Sequence, residues 1–333
     1  MIEVKNLTKK YGNHYAVDDL SFTIEKGKIY GFLGPNGAGK STTMNMITGY
    51  LAATSGEVKV CGKDILKEAE EAKKHIGYLP ENPPLYMDMT VEEYLKFAAE
   101  LKKVPKQERK EQIELVMGET HIEDMRNRMI QNLSKGYKQR VGLAQAMLGN
   151  PEIIILDEPT VGLDPKQILE IRDLIRSMKE RHTVILSSHI LSEVSAVCDE
   201  IMILSKGKLV ASDTTENLSK QLESKNKEAL RVELLLKAKK EKVEGILSSI
   251  SYIKLEKCEE IEDGFCNVTV ISEENQEYRE ELFYLLAEYK IPIFKMIPES
   301  HDLEAIFLEL TGKEDENQDS NSHGSDKQRG DKQ

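Results

Sequence analysis

"KIYGFLGPNGAGKSTTMNMITGYL", residues 28–51, joins an apolar strand pattern, a glycine-rich turn and an apolar helix pattern in direct succession. Its centre, Gly34-Pro35-Asn36-Gly37-Ala38-Gly39-Lys40-Ser41, satisfies G-x-x-x-x-G-K-[ST] in full. The glycines let the backbone curl until successive N–H groups face one point, and the following helix N-terminus adds partial positive charge there. A turn of this kind suits phosphate. Lys40 is placed to reach the β- and γ-phosphates of a nucleotide, with Thr42 beside it on the loop. The Ser41 hydroxyl offers a hard oxygen to Mg2+.

Two further apolar runs extend the pattern. "EIIILDEP" begins at Glu152 and "HTVILSSH" at His182. Continuous runs suit strands covered on both faces, as in a parallel sheet. Ligands gather at the carboxyl ends of such strands, and each run carries its polar residues at that end. Asp157 is the candidate Mg2+ holder, through a water. Glu158 is the candidate acceptor for the proton of an attacking water, a role worth about 10²–10⁴ in rate. A lone Asp-Glu pair would read as a solvated strand end, but here Pro159 follows and a phosphate loop lies upstream. A single His after a strand is commonly structural. His189 sits at the same strand end as the other polar groups, which favours a γ-phosphate contact.

The chain has 333 residues, 39% of them hydrophobic, enough for one large domain and a smaller one. It carries 46 basic against 58 acidic residues, a net charge of -12, so no global basic field exists to attract nucleic acid. Cys61, Cys198, Cys258 and Cys266 show no zinc-type spacing and read as reduced thiols. No apolar run approaches the ~18 residues needed to cross a bilayer, and the N-terminus lacks a secretion signal. A soluble, cytoplasmic chain is expected, with no direct membrane insertion; any membrane role would come through a partner.

Three parts are expected. Residues 1–217 carry the strand–loop–helix signals, with a mostly helical insertion over about 83–148. There Thr90 and Glu93 make a capping box, and Val91, Tyr94, Leu95, Ala98 and Leu101 share one helix face. Tyr94 and Phe97 read as packing residues. Residues 218–312 show the order βαββαβ, a ferredoxin-like α+β unit ending in the helix pattern "HDLEAIFLELTG". "KAKKEK", 237–242, reads as a solvated face rather than a membrane contact. Residues 313–333 have almost no apolar side chain and read as a disordered polar tail.

The first part resembles the nucleotide-binding subunits of ABC transporters. The resemblance rests on ordered motifs: Gly34 to Ser41, Ile76 to Glu81 before the helical insertion, "LSKGYKQR" from Leu133, Asp157-Glu158, Gly162-Leu163-Asp164 and His189. It implies a P-loop NTPase with a RecA-like core, an antiparallel β subdomain and a helical insertion. It also implies ATP and Mg2+, with Tyr11 stacking on adenine and Asp164 in the loop facing a partner subunit. Ser134 and Gly136 would face the γ-phosphate held by the opposite subunit of a homodimer. Transmembrane permease subunits would seat the dimer on the inner face of the cell membrane.

Two departures stand out. Lys135 and Tyr137 replace the Gly and Gln usual in the family's signature, yet neither removes a needed donor, so a working variant is expected. Glu81 stands where the family usually has Gln near Mg2+ and the attacking water. The form of the C-terminal segment, and "ENPPLYMDMT" after residue 80, resemble exporter subunits of the drug- and antibiotic-efflux type; "LSKGY" also resembles gliding-motility subunits. An importer subunit is a weaker alternative. A soluble ABC-type ATPase acting in translation or DNA maintenance is another, set back by the single nucleotide domain and the acidic charge.

Overall fold

The computed structural model describes residues 1–218, 231–248, 250, 253–261, 264–272 and 278–298, which fall into two compact units dividing near residue 215. In the first, β1 (Ile2–Tyr11) and β2 (His14–Ile24) form an antiparallel hairpin that buries Ile2, Val4, Leu7, Val17, Leu20 and Ile24. β3 (Ile29–Leu33) is buried at all five positions and leads through the glycine-rich turn into α1 (Lys40–Ile47). β4 (Ser55–Val60) and β5 (Lys63–Asp64) extend the hairpin into a sheet of order β2-β1-β4-β5. After α2 (Ala69–Lys74) and β6 (Ile76–Leu79), the chain enters α3 (Val91–Leu101), α4 (Arg109–Glu119) and α5 (Lys135–Met147). It returns through β7 (Ile153–Asp157), α6 (Pro165–Met178), β8 (Thr183–Ser188), α7 (Leu191–Val197), β9 (Glu200–Ser205) and β10 (Lys208–Thr214).

The central sheet has the order β10-β9-β3-β8-β7-β6, parallel throughout except for β10 on β9. β7 and β8 are buried at every position, as their continuous apolar runs require. In register, Leu33 pairs with Ser188 and Asp157 with Ser187. One edge of the sheet thus collects the ends of β3, β7 and β8. The antiparallel and central sheets share a core that includes Leu7, Met44, Ile47, Val60, Ile155 and Met202. This is the expected P-loop architecture: a parallel core, an antiparallel β subdomain and a helical insertion.

α3 starts at the predicted capping box: Thr90 Oγ1 accepts from the Glu93 N–H at 3.3 Å, and the Thr90 N–H donates to Glu93 Oε2 at 2.9 Å. Val91, Tyr94, Leu95 and Ala98 are buried as expected, but Leu101 is exposed and Ala99 is buried. The helix ends at Leu101, and Lys103 turns the chain with φ 59°, so the apolar face runs out one turn early. Tyr94 and Phe97 pack against the Tyr86 ring, with centroids 6.2 and 5.2 Å away.

The second unit comprises β11 (Arg231–Leu236), α8 (Lys240–Leu247), β12 (Ile253–Ile261), β13 (Phe265–Ser272), α9 (Arg279–Glu288) and β14 (Ile293–Pro298). Its all-antiparallel sheet has the order β12-β13-β11-β14, the ferredoxin-like arrangement. Burial alternates along β11 and β13, so one sheet face meets the helices through Val232, Leu234, Val268 and Val270. The helix expected over 301–312 and the polar tail from 313 lie outside the described residues. Among the described residues no helix is long and apolar enough to cross a membrane.

Candidate nucleotide site

α1 begins without help from any side chain. Its N-cap is Gly39, no side chain caps it, and its first turn holds no acidic residue. Orphan N–H groups at a helix start need acceptors, and an anion supplies them. Gly39 holds φ 100°, and a Cβ there would stand 2.5 Å from the Ala16 carbonyl oxygen, so only glycine lets the loop close onto β2. The Gly39 carbonyl accepts from both the N–H and the hydroxyl of Thr43, fixing the turn from below.

Above this loop lies a cleft of about 390 Å³ lined by residues 36–42 together with His14, Ala16, Glu81, Glu158, Val161 and His189. Lys40 is buried, 6% exposed, and folds back to donate to the Gly34 and Pro35 carbonyls at 2.8 and 3.3 Å. Its Nζ also stands 3.4 Å from Glu158 Oε1. Glu158 Oε2 lies 2.9 Å from His189 Nδ1. An ionised carboxylate only accepts, so Nδ1 carries the hydrogen in this contact. Ser187 ties the two carboxylate residues together: its hydroxyl donates to Asp157 Oδ1 at 2.6 Å and accepts from the Glu158 N–H at 2.9 Å. Ser41 Oγ donates to the same Asp157 oxygen at 3.1 Å. Glu158 itself sits at φ 49°, a left-handed conformation that carries strain in a residue with a Cβ and that concentrates at functional sites.

Ser41, Asp157 and Glu81 offer only hard oxygens, the donor set that fits Mg2+ and not a softer ion. The glycine cradle and the free end of α1 fit a polyphosphate. A carboxylate hydrogen-bonded to an imidazole beside that cradle has the chemistry to accept a proton from water.

Seven predicted residues lie outside the cleft lining: Gly34, Pro35 and Asp157, which reach it through Lys40 and Ser41, and four that stand apart. Tyr11 pairs with His14 across the hairpin, but His14 and Ala16 line the cleft, while the Tyr11 ring is 51% exposed with the Lys9 ammonium 5.2 Å from its centroid. Ser134 caps α5, its hydroxyl accepting from the Tyr137 N–H at 3.4 Å. Gly136 lies against α6, where a Cβ would meet Gln167 Oε1 at 2.7 Å. Asp164 caps α6, accepting from the Gln167 N–H at 2.9 Å. The two unusual signature residues have found partners. The Lys135 side chain passes over Gly162, and the Tyr137 hydroxyl donates to Asp124 at 3.3 Å under the Arg140 guanidinium.

Sequence pattern gave no role to Ser187, His14 or Glu193. Glu193 is buried and accepts from Thr160 at 2.6 Å and Ser188 at 3.0 Å, holding the segments after β7 and β8 together. The hydroxyls in "SSH" were the available signal for two of these contacts.

Residues 17–161 match the family described as ABC transporter. The chain is 47% identical over 213 residues to YhcH, an ABC transporter ATP-binding protein of Bacillus subtilis, covering 63% of this chain and 68% of that one. It is 34% identical over 314 residues to the bacitracin transport ATP-binding protein BcrA of Bacillus licheniformis, covering 94% and 97% of the two chains. Among solved structures, it is similar to the ATP-binding cassette MJ0796, a dimer in a post-hydrolysis state bound to ADP and Pi, with 27% identity and a TM-score of 0.58 over 64% of this chain and 98% of that one. A glycine cradle at the end of β3, paired carboxylates at the end of β7 and relatedness along nearly the whole chain lead to one assignment: this protein belongs to the ATP-binding subunits of ABC transporters, a family of ATPases.

Proposed function

We propose that this chain hydrolyses ATP in a Mg2+-dependent step and powers export through transmembrane permease subunits. The observation that carries the catalytic part is the contact of the buried Glu158 carboxylate with both Lys40 and His189 beside the glycine cradle. Loop N–H groups and Lys40 bind the phosphates. Ser41, Asp157 and Glu81 would hold Mg2+, which when bound withdraws charge from the phosphoryl oxygens. Glu158 accepts the proton of the attacking water, and His189 orients Glu158 through Nδ1 while Nε2 stays free for the γ-phosphate. Ser187 holds the backbone of Glu158 and the carboxylate of Asp157 in one arrangement.

Ser134 and Gly136 sit outside their own chain's cleft, so the site is completed by the same residues of a second copy. In this reading a homodimer closes on two ATP molecules, as supported by the dimeric structure of the related cassette. ATP favours the closed state because it touches both halves only there. Support for export comes from likeness to the bacitracin transport protein over 94% of this chain, which includes the second unit. Tyr86 and Met87, both exposed in the segment after Glu81, are the proposed contact with the permease.

Tagged full-length chain, purified in mild detergent from its native membranes, is expected to bring down a polytopic membrane protein near 1:1. Met87→Asp is expected to lose that partner while hydrolysis by the free subunit is kept. Recovery of ribosomes or DNA-repair proteins instead would move the function to a soluble ATPase. Glu81→Gln removes an exposed negative charge beside the proposed metal position. It is expected to raise the half-saturating Mg2+ concentration by up to about fivefold. Superimposable Mg2+ titrations of the variant and the parent would remove Glu81 from the metal site.

A further inference from the structure

The opposite edge of the central sheet carries a second cluster of donor atoms. Cys61 Sγ lies 3.5 Å from Glu152 Oε2, and His75 Nδ1 lies 3.2 Å from Glu152 Oε1. One ligand atom from each residue can be chosen so that all three lie within 4.8 Å of one another. Cys61 and His75 are half-buried and Glu152 is exposed, so an ion can reach them from solvent.

Each donor rests on a backbone anchor. The Cys61 N–H donates to the Met1 carbonyl at 2.7 Å, the His75 carbonyl accepts from Ile153 at 3.0 Å, and the Glu152 carbonyl accepts from Thr183 at 2.9 Å. The turn between β4 and β5 adds an independent observation. It consists of Cys61 and Gly62, with φ 49° and 80°. A two-residue hairpin with both φ positive favours Asn, Asp or Gly at its first position. Cysteine there is a conformationally poor choice that places a thiol against His75 and Glu152.

We propose that Cys61, His75 and Glu152 form a binding site for a thiophilic divalent transition metal, Zn2+ being the best fit. Tetrahedral Zn2+ with the usual bond lengths has S···O and N···O edges of about 3.5 and 3.3 Å. The two contacts, 3.5 and 3.2 Å, run to different oxygens of Glu152, so the exposed carboxylate must turn to bring one oxygen onto both edges, and the three donor atoms already lie within 4.8 Å of one another. A thiolate, an imidazole and a carboxylate select Zn2+ and its neighbours over Mg2+, which prefers oxygen alone. Three protein ligands leave a fourth position for water. Binding displaces the Cys61 proton. Burial and the neighbouring Glu152 push that thiol up to about 11, so without metal it stays a neutral donor and a poor nucleophile.

The site is distinct from the nucleotide cleft. His75 immediately precedes β6, which leads toward Glu81; Glu152 immediately precedes β7, which ends at Asp157. Five residues of strand separate Glu152 from Asp157 by roughly 17 Å. The metal would clip the β4–β5 turn of the antiparallel sheet to the starts of two strands of the central one.

The test is a Co2+ titration of the tag-free, full-length chain, kept reduced without added thiols. The expected result is one equivalent bound, with a thiolate charge-transfer band and tetrahedral ligand-field bands, displaced by Zn2+ and not by Mg2+. Cys61→Asn suits the positive φ of the turn, so the fold is kept. It is expected to abolish the charge-transfer band and to weaken binding beyond the roughly 10–100-fold that loss of a ligand-orienting group costs. His75→Ala should weaken binding without removing the thiolate band. Zn2+ should raise the melting temperature of the parent and not of Cys61→Asn. No Co2+ spectrum in the parent, or a charge-transfer band that survives Cys61→Asn, overturns the proposal; the second outcome would place the metal on another cysteine.

Discussion

Glu158→Gln is expected to keep ATP binding and to cut steady-state hydrolysis by about 10²–10⁴-fold, the contribution of a positioned general base. The amide preserves the size of the side chain and can still meet His189. The Ser187 hydroxyl still accepts from the backbone N–H of residue 158 at 2.9 Å, so the strained φ is held as before. What is lost is the proton acceptor and the negative charge 3.4 Å from the Lys40 ammonium. ATP should therefore accumulate on a closed dimer, visible as an ATP-dependent shift to twice the mass in size-exclusion chromatography. Unchanged hydrolysis in this variant would refute the assignment of Glu158 as the base.

Lys40→Met should have the other large effect, on binding itself. A charge-assisted hydrogen bond contributes about 1.5–3 kcal/mol, so losing one to phosphate weakens ATP binding by roughly 10–150-fold. Titration with a fluorescent nucleotide reads this directly, and equal affinity would show that Lys40 does not reach the phosphates. Methionine fills similar space, so packing against the loop is retained. Lys40→Arg is not a rescue: the Gly34 and Pro35 carbonyls converge on one compact ammonium, which a planar fork does not match.

How much could be read from sequence depended on how locally each feature is encoded. The phosphate loop and its flanking strand and helix are contiguous, and the patterns of β7 and β8 are unbroken apolar runs, so both were legible along with the carboxylates at their end. The ferredoxin-like order was legible because each strand and helix has its own periodicity. Tyr11 was harder, because only the hairpin register decides that His14 and Ala16 line the cleft. Ser187 bridges Asp157 and Glu158 across two strands, which no local pattern announces. The cysteine spacing argued against a metal, yet the sheet topology brings Cys61 to Glu152 across 91 residues and His75 to Glu152 across 77.

The fold-back of Lys40 has a consequence for the direction of the cycle. The Lys40 ammonium is shared between two loop carbonyls and the Glu158 carboxylate. An arriving triphosphate must compete with that carboxylate for one cation. On the proposed roles, success would strip the carboxylate of its counter-charge at the moment substrate is seated. On the same roles, departure of the terminal phosphate would return the cation to the carboxylate and leave the diphosphate with a weaker hold. Two anions contending for a single lysine would thus work as a ratchet, arming the site on loading and helping to empty it after the cut.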